Sequence, residues 1–236
     1  MPSTYNPLTR KPLQKRSIER IDSILATTEH LLVELPFEDI NTNLIAKRSD
    51  VKIGSLYHFF PDKFAIYNTL IFRALSKIDV ILQDEFQGLA GAQQDNKLID
   101  ALIGRLTEFS TASSISMTLW FNMQKHPETL KIIEHFESNW IPAMANYYMA
   151  SIPGLKKERA ELAVFIILQS VYTLLDQAAT MEQEPAEIFL EEACYSLNCY
   201  IDALQQQPKE KMEIANQQAK KSWPLQKASQ ETHSNS

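Results

Sequence analysis

Between residues 41 and 63 the chain sets out a group of side chains suited to gripping a polyanion. The stretch NTNLIAKRSDVKIGSLYHFFPDK places hydroxyls at Thr42, Ser55 and Tyr57, ammonium groups at Lys52 and Lys63, an imidazole at His58 and a bare backbone at Gly54. Hydroxyls and lysines supply hydrogen bonds and charge to phosphate oxygens, and side chains early on a recognition helix, here Lys52 and Ser55, also reach base edges. Tyr57 adds an aromatic stem as a brace and a hydroxyl for a phosphate oxygen. Gly54 is the only glycine in the first 87 residues. It allows a backbone to come close to a groove, whereas a plain helix glycine costs about 1 kcal/mol relative to alanine with no return. Lys63 opens the following helix, where free N–H groups and the positive dipole end favour an anion. His58 reads either as a neighbouring contact or as an exposed histidine, and Lys47 and Arg48 either as backbone contacts or as a solvated face.

The elements that must position these groups are helices. Ile18, Ile21, Leu25, Thr28, Leu32 and Leu35 recur at three- and four-residue steps, predicting a lead helix that stops before Pro36. Asn41 is a good N-cap for a second helix over 42–49, Asp50 ends it, and a third runs over 52–58. Ile45, Ala46, Val51, Leu56 and Phe60 fall at helical spacing as the core that fixes their angle. Asp62 caps a long fourth helix striped by Ile66, Leu70, Ile71, Leu75, Ile78 and Leu82 and closed by Gly88 and Gly91. Further helices are expected near 96–112 and 116–125, from Pro127 with a bend at Pro142, over 157–181 and over 185–206.

These residues carry a resemblance. Residues 16–75 resemble the DNA-binding domain of the tetracycline-repressor (TetR) family, above all in Gly54-Ser55-Leu56-Tyr57-His58-Phe59-Phe60 followed by Asp62-Lys63. The resemblance implies an all-α protein with an N-terminal three-helix helix-turn-helix domain and a C-terminal helical ligand-binding and dimerisation domain. It also implies a phosphate contact from the Thr42 region and, as the usual mode, repression. Two positions depart from the family pattern. Asp50 stands where the turn usually has glycine, and aspartate tolerates left-handed geometry better than most residues. Ile53 stands on the recognition helix where a polar residue is common, either to meet a thymine methyl or to pack.

Composition agrees with this division. The net charge is −6, yet residues 1–63 hold nine Lys/Arg against eight Asp/Glu, with Arg10, Lys11, Lys15, Arg16 and Arg20 offset locally by Glu19 alone. A basic arm on an acidic body suits a protein that touches DNA with one end. The expected organisation is a flexible basic arm at 1–15, the DNA-binding domain at 16–65, an effector-binding and dimerisation domain at 66–206, and a disordered tail at 207–236. The longest apolar run, Leu162–Leu168, is too short for a membrane span, and Met1–Lys15 does not read as a signal peptide. Cys194 and Cys199 point apart on one helix, so neither a disulfide nor a metal pair is expected, and a reducing cytoplasm is the natural compartment.

A short recognition helix reads few base pairs, so a homodimer on a palindromic double-stranded operator is expected, its heads about 34 Å apart. Leu190, Cys194, Leu197, Ile201 and Leu204 form the stripe expected to face the partner. Phe109, Met117, Trp120, Phe121, Phe136, Trp140, Tyr147, Phe165 and Tyr172 are candidates for an adaptable pocket that takes an apolar or aromatic effector, though ordinary core packing uses the same residue types. No cofactor, metal or membrane partner is expected. Enzymatic motifs such as GxGxxG, GxxxxGK[ST], HExxH and GxSxG are missing. The remaining rival is a DNA-associated structural protein that uses the same head without effector control.

Overall fold

Lead helix α1 (Lys15–Glu34) buries Ile21, Ile24, Leu25, Thr28, Leu31 and Leu32, so that of the spaced positions Ile21, Leu25, Thr28 and Leu32 are covered while Ile18 is exposed and Leu35 half-buried. After Pro36 a single 3-10 turn (Phe37–Asp39) leads to α2 (Thr42–Arg48), α3 (Ile53–Phe59) and the long α4 (Lys63–Leu89). Then follow α5 (Met117–Met123), α6 (Pro127–Ser151), α7 (Lys157–Ala178), α8 (Gln183–Gln205) and α9 (Lys209–Ser222). The computed structural model describes residues 15–89, 104, 117–178 and 180–222, among which there is no strand. The arm and most of the helix expected near 96–112 lie outside the described residues, as does Trp223. Helix α6 continues through Pro142.

The chain divides into two compact units, residues 1–80 with 108–137 and residues 81–107 with 138–236. The sequence reading puts a boundary at 65/66, whereas the compact units follow packing. In the first unit the upper turns of α4 are fastened to the start of α6. Thr129 Oγ1 donates to Asn68 Oδ1 at 2.6 Å in a buried pair, and the Phe72 and Phe136 rings lie 5.5 Å apart. Helix α5 packs against the 37–39 turn.

Tyr67 lies at the centre of this first unit. It is fully buried, with Phe37 at 5.0 Å and Phe64 at 6.3 Å between ring centroids. Its hydroxyl finds no hydrogen-bond partner among the described residues, and burial pushes its pKa up to about 12. A buried hydroxyl without a partner costs free energy. Tyr67→Phe is therefore expected to raise stability by about 1 kcal/mol at neutral pH. Because the folded pKa lies above the unfolded value, the protonated phenol's contribution is complete below pH 10 and is lost as pH rises through about 12. The Phe variant should lose less stability than the parent over that alkaline window. Urea melts at pH 8 and pH 11 measure both effects.

In the second unit α7 packs on α8 and on α9. Over Lys209–Ser222, helix α9 stands where the sequence reading expects disorder. Its low apolar content argues against a docked helix, yet Met212, Asn216 and Ala219 form one buried face, while Ile214 is left exposed. Asn216 Nδ2 donates to the Gly154 carbonyl at 3.0 Å, and Asn216 Oδ1 accepts from the Lys156 N–H at 3.3 Å. Gly154 has φ +86°, a left-handed conformation that suits glycine at the corner between α6 and α7. Arg159 adds hydrogen bonds to Gln207 Oε1 and Met212 Sδ.

Candidate nucleic-acid interface

Local rules set the start of the helix-turn-helix. Asn41 is extended and its side chain accepts from the Leu44 N–H at 3.0 Å, so the first turn of α2 is capped. The helix ends at Ser49, whose hydroxyl folds back onto the Ile45 carbonyl at 2.8 Å. Asp50 follows at φ +53°, the left-handed residue that the turn requires, and Val51 N–H closes on the Ala46 carbonyl at 3.0 Å. The aspartate thus performs the backbone task of the family's usual glycine. Ser23 on α1 donates to the Ser49 carbonyl at 3.1 Å and ties the turn to the lead helix.

Ile45, Ala46, Leu56, Phe59 and Phe60 are buried and fix α2 against α3, while Val51 is only half-covered. The opposite face of α3 is open. Lys52, Ile53, Gly54, Tyr57 and His58 are exposed there, and Ser55 is half-buried. A Cβ built on Gly54 meets nothing within 4 Å, so no packing inside the protein calls for a glycine at this place. His58 sits edge-on to Phe59 with centroids 5.0 Å apart.

Two candidate contacts meet directly. The Thr42 and Tyr57 hydroxyls share a hydrogen bond of 2.9 Å, linking the first turn of α2 to the recognition helix at the protein surface. Lys63 behaves differently from the free anion ligand expected. Its ammonium donates to the Ile40 carbonyl at 3.0 Å and lies 5.2 Å from the Phe37 ring and 5.8 Å from the Phe64 ring. It fixes the connection before α2 with one N–H and keeps two more. Asp62 caps α4 by accepting from Ala65 N–H at 2.8 Å. Arg48, left open as a contact, pairs with Glu34 at 3.2 Å, and Arg73 pairs with Asp22 at 2.7 Å, joining α4 to α1. Both pairs are half-exposed and worth well under about 1 kcal/mol each. None of these long-range pairings has a signal in residue spacing.

The residues proposed for a pocket fall in different places. Phe109 lies outside the described residues, and Met117 and Phe121 lie on α5 with side chains outside them. Trp120 (half-buried) and Phe136 (buried) belong to the first unit; Trp140 (buried) and Tyr147, Phe165 and Tyr172 (all half-buried) belong to the second. Next to Tyr147, Tyr148 is buried, and its hydroxyl's pKa is raised first by that burial and then by Tyr147.

Most of the expected partner stripe is covered within the chain itself. Leu197, Ile201 and Leu204 are turned inward, with Ala193, on the buried side of α8, which packs on α7. Leu190 and Cys194 are half-covered. The apolar groups left outside on these two helices are Ile166, Ile188 and Tyr195, the last 70% exposed. A hydrophobic stripe marks a covered face without saying whether the cover is the same chain or another.

Comparison with known proteins agrees with this architecture. Residues 24–70 match the family model for bacterial regulatory proteins of the tetR family, and residues 96–200 match the tetracyclin repressor-like C-terminal domain. The HTH-type transcriptional regulator EthR of Mycobacterium tuberculosis is 31% identical over 153 residues, covering 65% of this chain and 68% of that protein. Among solved structures, Salmonella enterica GusR superposes with a TM-score of 0.60 at 17% identity, over 84% of this chain and 100% of that one. A transcriptional regulator from Pseudomonas aeruginosa PAO1 gives a TM-score of 0.63 at 13% identity, over 86% and 97%. With the capped helix-turn-helix at its amino end and the matching helical body behind it, the chain belongs to the TetR family of bacterial transcriptional regulators.

Proposed function

We propose that the protein is a repressor that binds a palindromic double-stranded operator as a homodimer and is released by a small apolar or aromatic effector. The observation that carries this reading is the open face of α3, with an exposed glycine that packing inside the protein does not explain. Thr42, Lys52, Gly54, Ser55, Tyr57, His58 and Lys63 form the proposed contact set. Lys52 and Ser55 reach base edges or phosphates, and Gly54 lets the helix sink. Tyr57, steadied by Thr42, takes a phosphate oxygen, and Lys63 steadies the approach to α2 while its remaining N–H groups face the backbone.

The partner surface is the outer side of α7 and α8, where Ile166, Ile188 and Tyr195 stand exposed. Aromatic and methionine side chains such as Trp140, Met144 and Tyr148, buried in the second unit, support an apolar effector. Effector binding biases the orientation of α4, whose first turns are packed into the head, so head spacing no longer matches successive major grooves.

Selection of bound fragments from genomic DNA, followed by titration of the best duplex with and without candidate effectors, tests the reading. Tyr57→Phe and Lys63→Ala should each weaken binding to all duplexes about tenfold, and Lys63→Ala, which removes a charge, should also reduce the slope of log affinity against log salt by about one per half-site. Unchanged affinity and slope would remove those contacts. Equal affinity for selected and random duplexes would sink the function.

A further inference from the structure

On the exposed face of α3 the side chains able to read bases by hydrogen bonds are Lys52, Ser55 and His58. Leu56 and Phe59 are turned into the core, Gly54 has no side chain, and the Tyr57 hydroxyl is joined to Thr42. At the front of this face, in the first turn, stands Ile53. It is 38% exposed, whereas Leu56 and Phe60 of the same segment are fully buried. Packing covers part of this isoleucine and leaves more than a third of it at the surface, and the residue beside it is the glycine around which space is open. An aliphatic side chain at the leading end of a recognition helix offers apolar contact and nothing else. In the major groove the matching group is the C5 methyl of thymine, and the other three bases present only donors and acceptors.

We propose that Ile53 is a specificity-determining residue that reads a thymine methyl in each operator half-site, with Gly54 giving the helix the close approach this needs. The inference rests on the DNA-binding reading above and adds the base. Contact removes both the methyl and the Ile53 side chain from water. Burial of one such group is worth about 0.8 kcal/mol, a factor of about four, so loss at both half-sites amounts to about fifteenfold.

Deoxyuridine keeps thymine's hydrogen-bonding edge and lacks only the methyl, which makes it the probe. Each thymine of a selected operator is replaced in turn, in symmetry-related pairs, and dissociation constants are measured for the parent, Ile53→Ala and Ile53→Val. One pair of positions is expected to weaken parent binding about fifteenfold, while Ile53→Ala binds the thymine and uracil duplexes equally and Ile53→Val falls between. Ile53 is exposed, and circular-dichroism melts confirm that the variants fold. Tight operator binding with no position sensitive to the methyl overturns this inference alone. So does a methyl effect that persists undiminished in Ile53→Ala. Failure to prefer any duplex overturns the DNA-binding reading together with it.

Discussion

Gly54→Leu is expected to leave the protein folded and to lower its affinity for the operator by about a thousandfold, the lower end of the usual gap between specific and non-specific binding. Nothing lies within 4 Å of a Cβ at this position, so the free protein has room for the larger side chain. Leucine is also a better helix former than glycine by most of 1 kcal/mol, so the melting temperature should stay level or rise slightly. The same side chain would stand between α3 and the groove floor and hold the backbone away. Gly54→Ala should show the two effects in miniature, with a small gain in stability and a measurable loss of affinity. Thermal melts paired with fluorescence-anisotropy titrations read both quantities. A leucine variant that binds its operator as tightly as the parent would show that α3 does not approach the groove through this glycine.

The second large effect separates two neighbours on α8. Leu197→Asp is expected to unfold the second unit, because an unpaired carboxylate placed among the side chains between α7 and α8 costs several kcal/mol, comparable to the whole stability of a domain. Tyr195→Glu, two residues away on the exposed side, should leave the fold intact and yield monomers that have lost operator binding. Sedimentation velocity and thermal melts on both variants distinguish these outcomes. A folded monomer from Leu197→Asp would return that stripe to the partner surface. A dimeric Tyr195→Glu would move the interface elsewhere.

Much of the first unit was legible because local rules govern it. Asn41 and Asp62 cap the helices they precede, Asp50 takes the left-handed turn, and the buried face of α1 follows its three- and four-residue spacing. What escaped the sequence depends on pairings between distant residues. Nothing at Lys63 announces that its ammonium turns back to Ile40, and nothing at Thr42 and Tyr57 announces their shared hydrogen bond. The stripe through Leu197 reads from sequence as a partner-facing surface, yet Leu197, Ile201 and Leu204 are buried within the chain, because periodicity does not name what covers an apolar face. Helix α9 was missed because composition weighs all residues equally, whereas its docking depends on three at one spacing, Met212, Asn216 and Ala219.

That last helix bears on how hybrid regulators should be spliced. The family match to the C-terminal domain stops at residue 200, an inviting point at which to trim this body or to append a foreign segment. A cut there would strip the amide of Asn216 from the Gly154–Lys156 corner, baring a carbonyl and an N–H more than fifty residues upstream. Chimeras and reporter fusions should therefore keep the chain through Ser222 and begin the foreign segment beyond it.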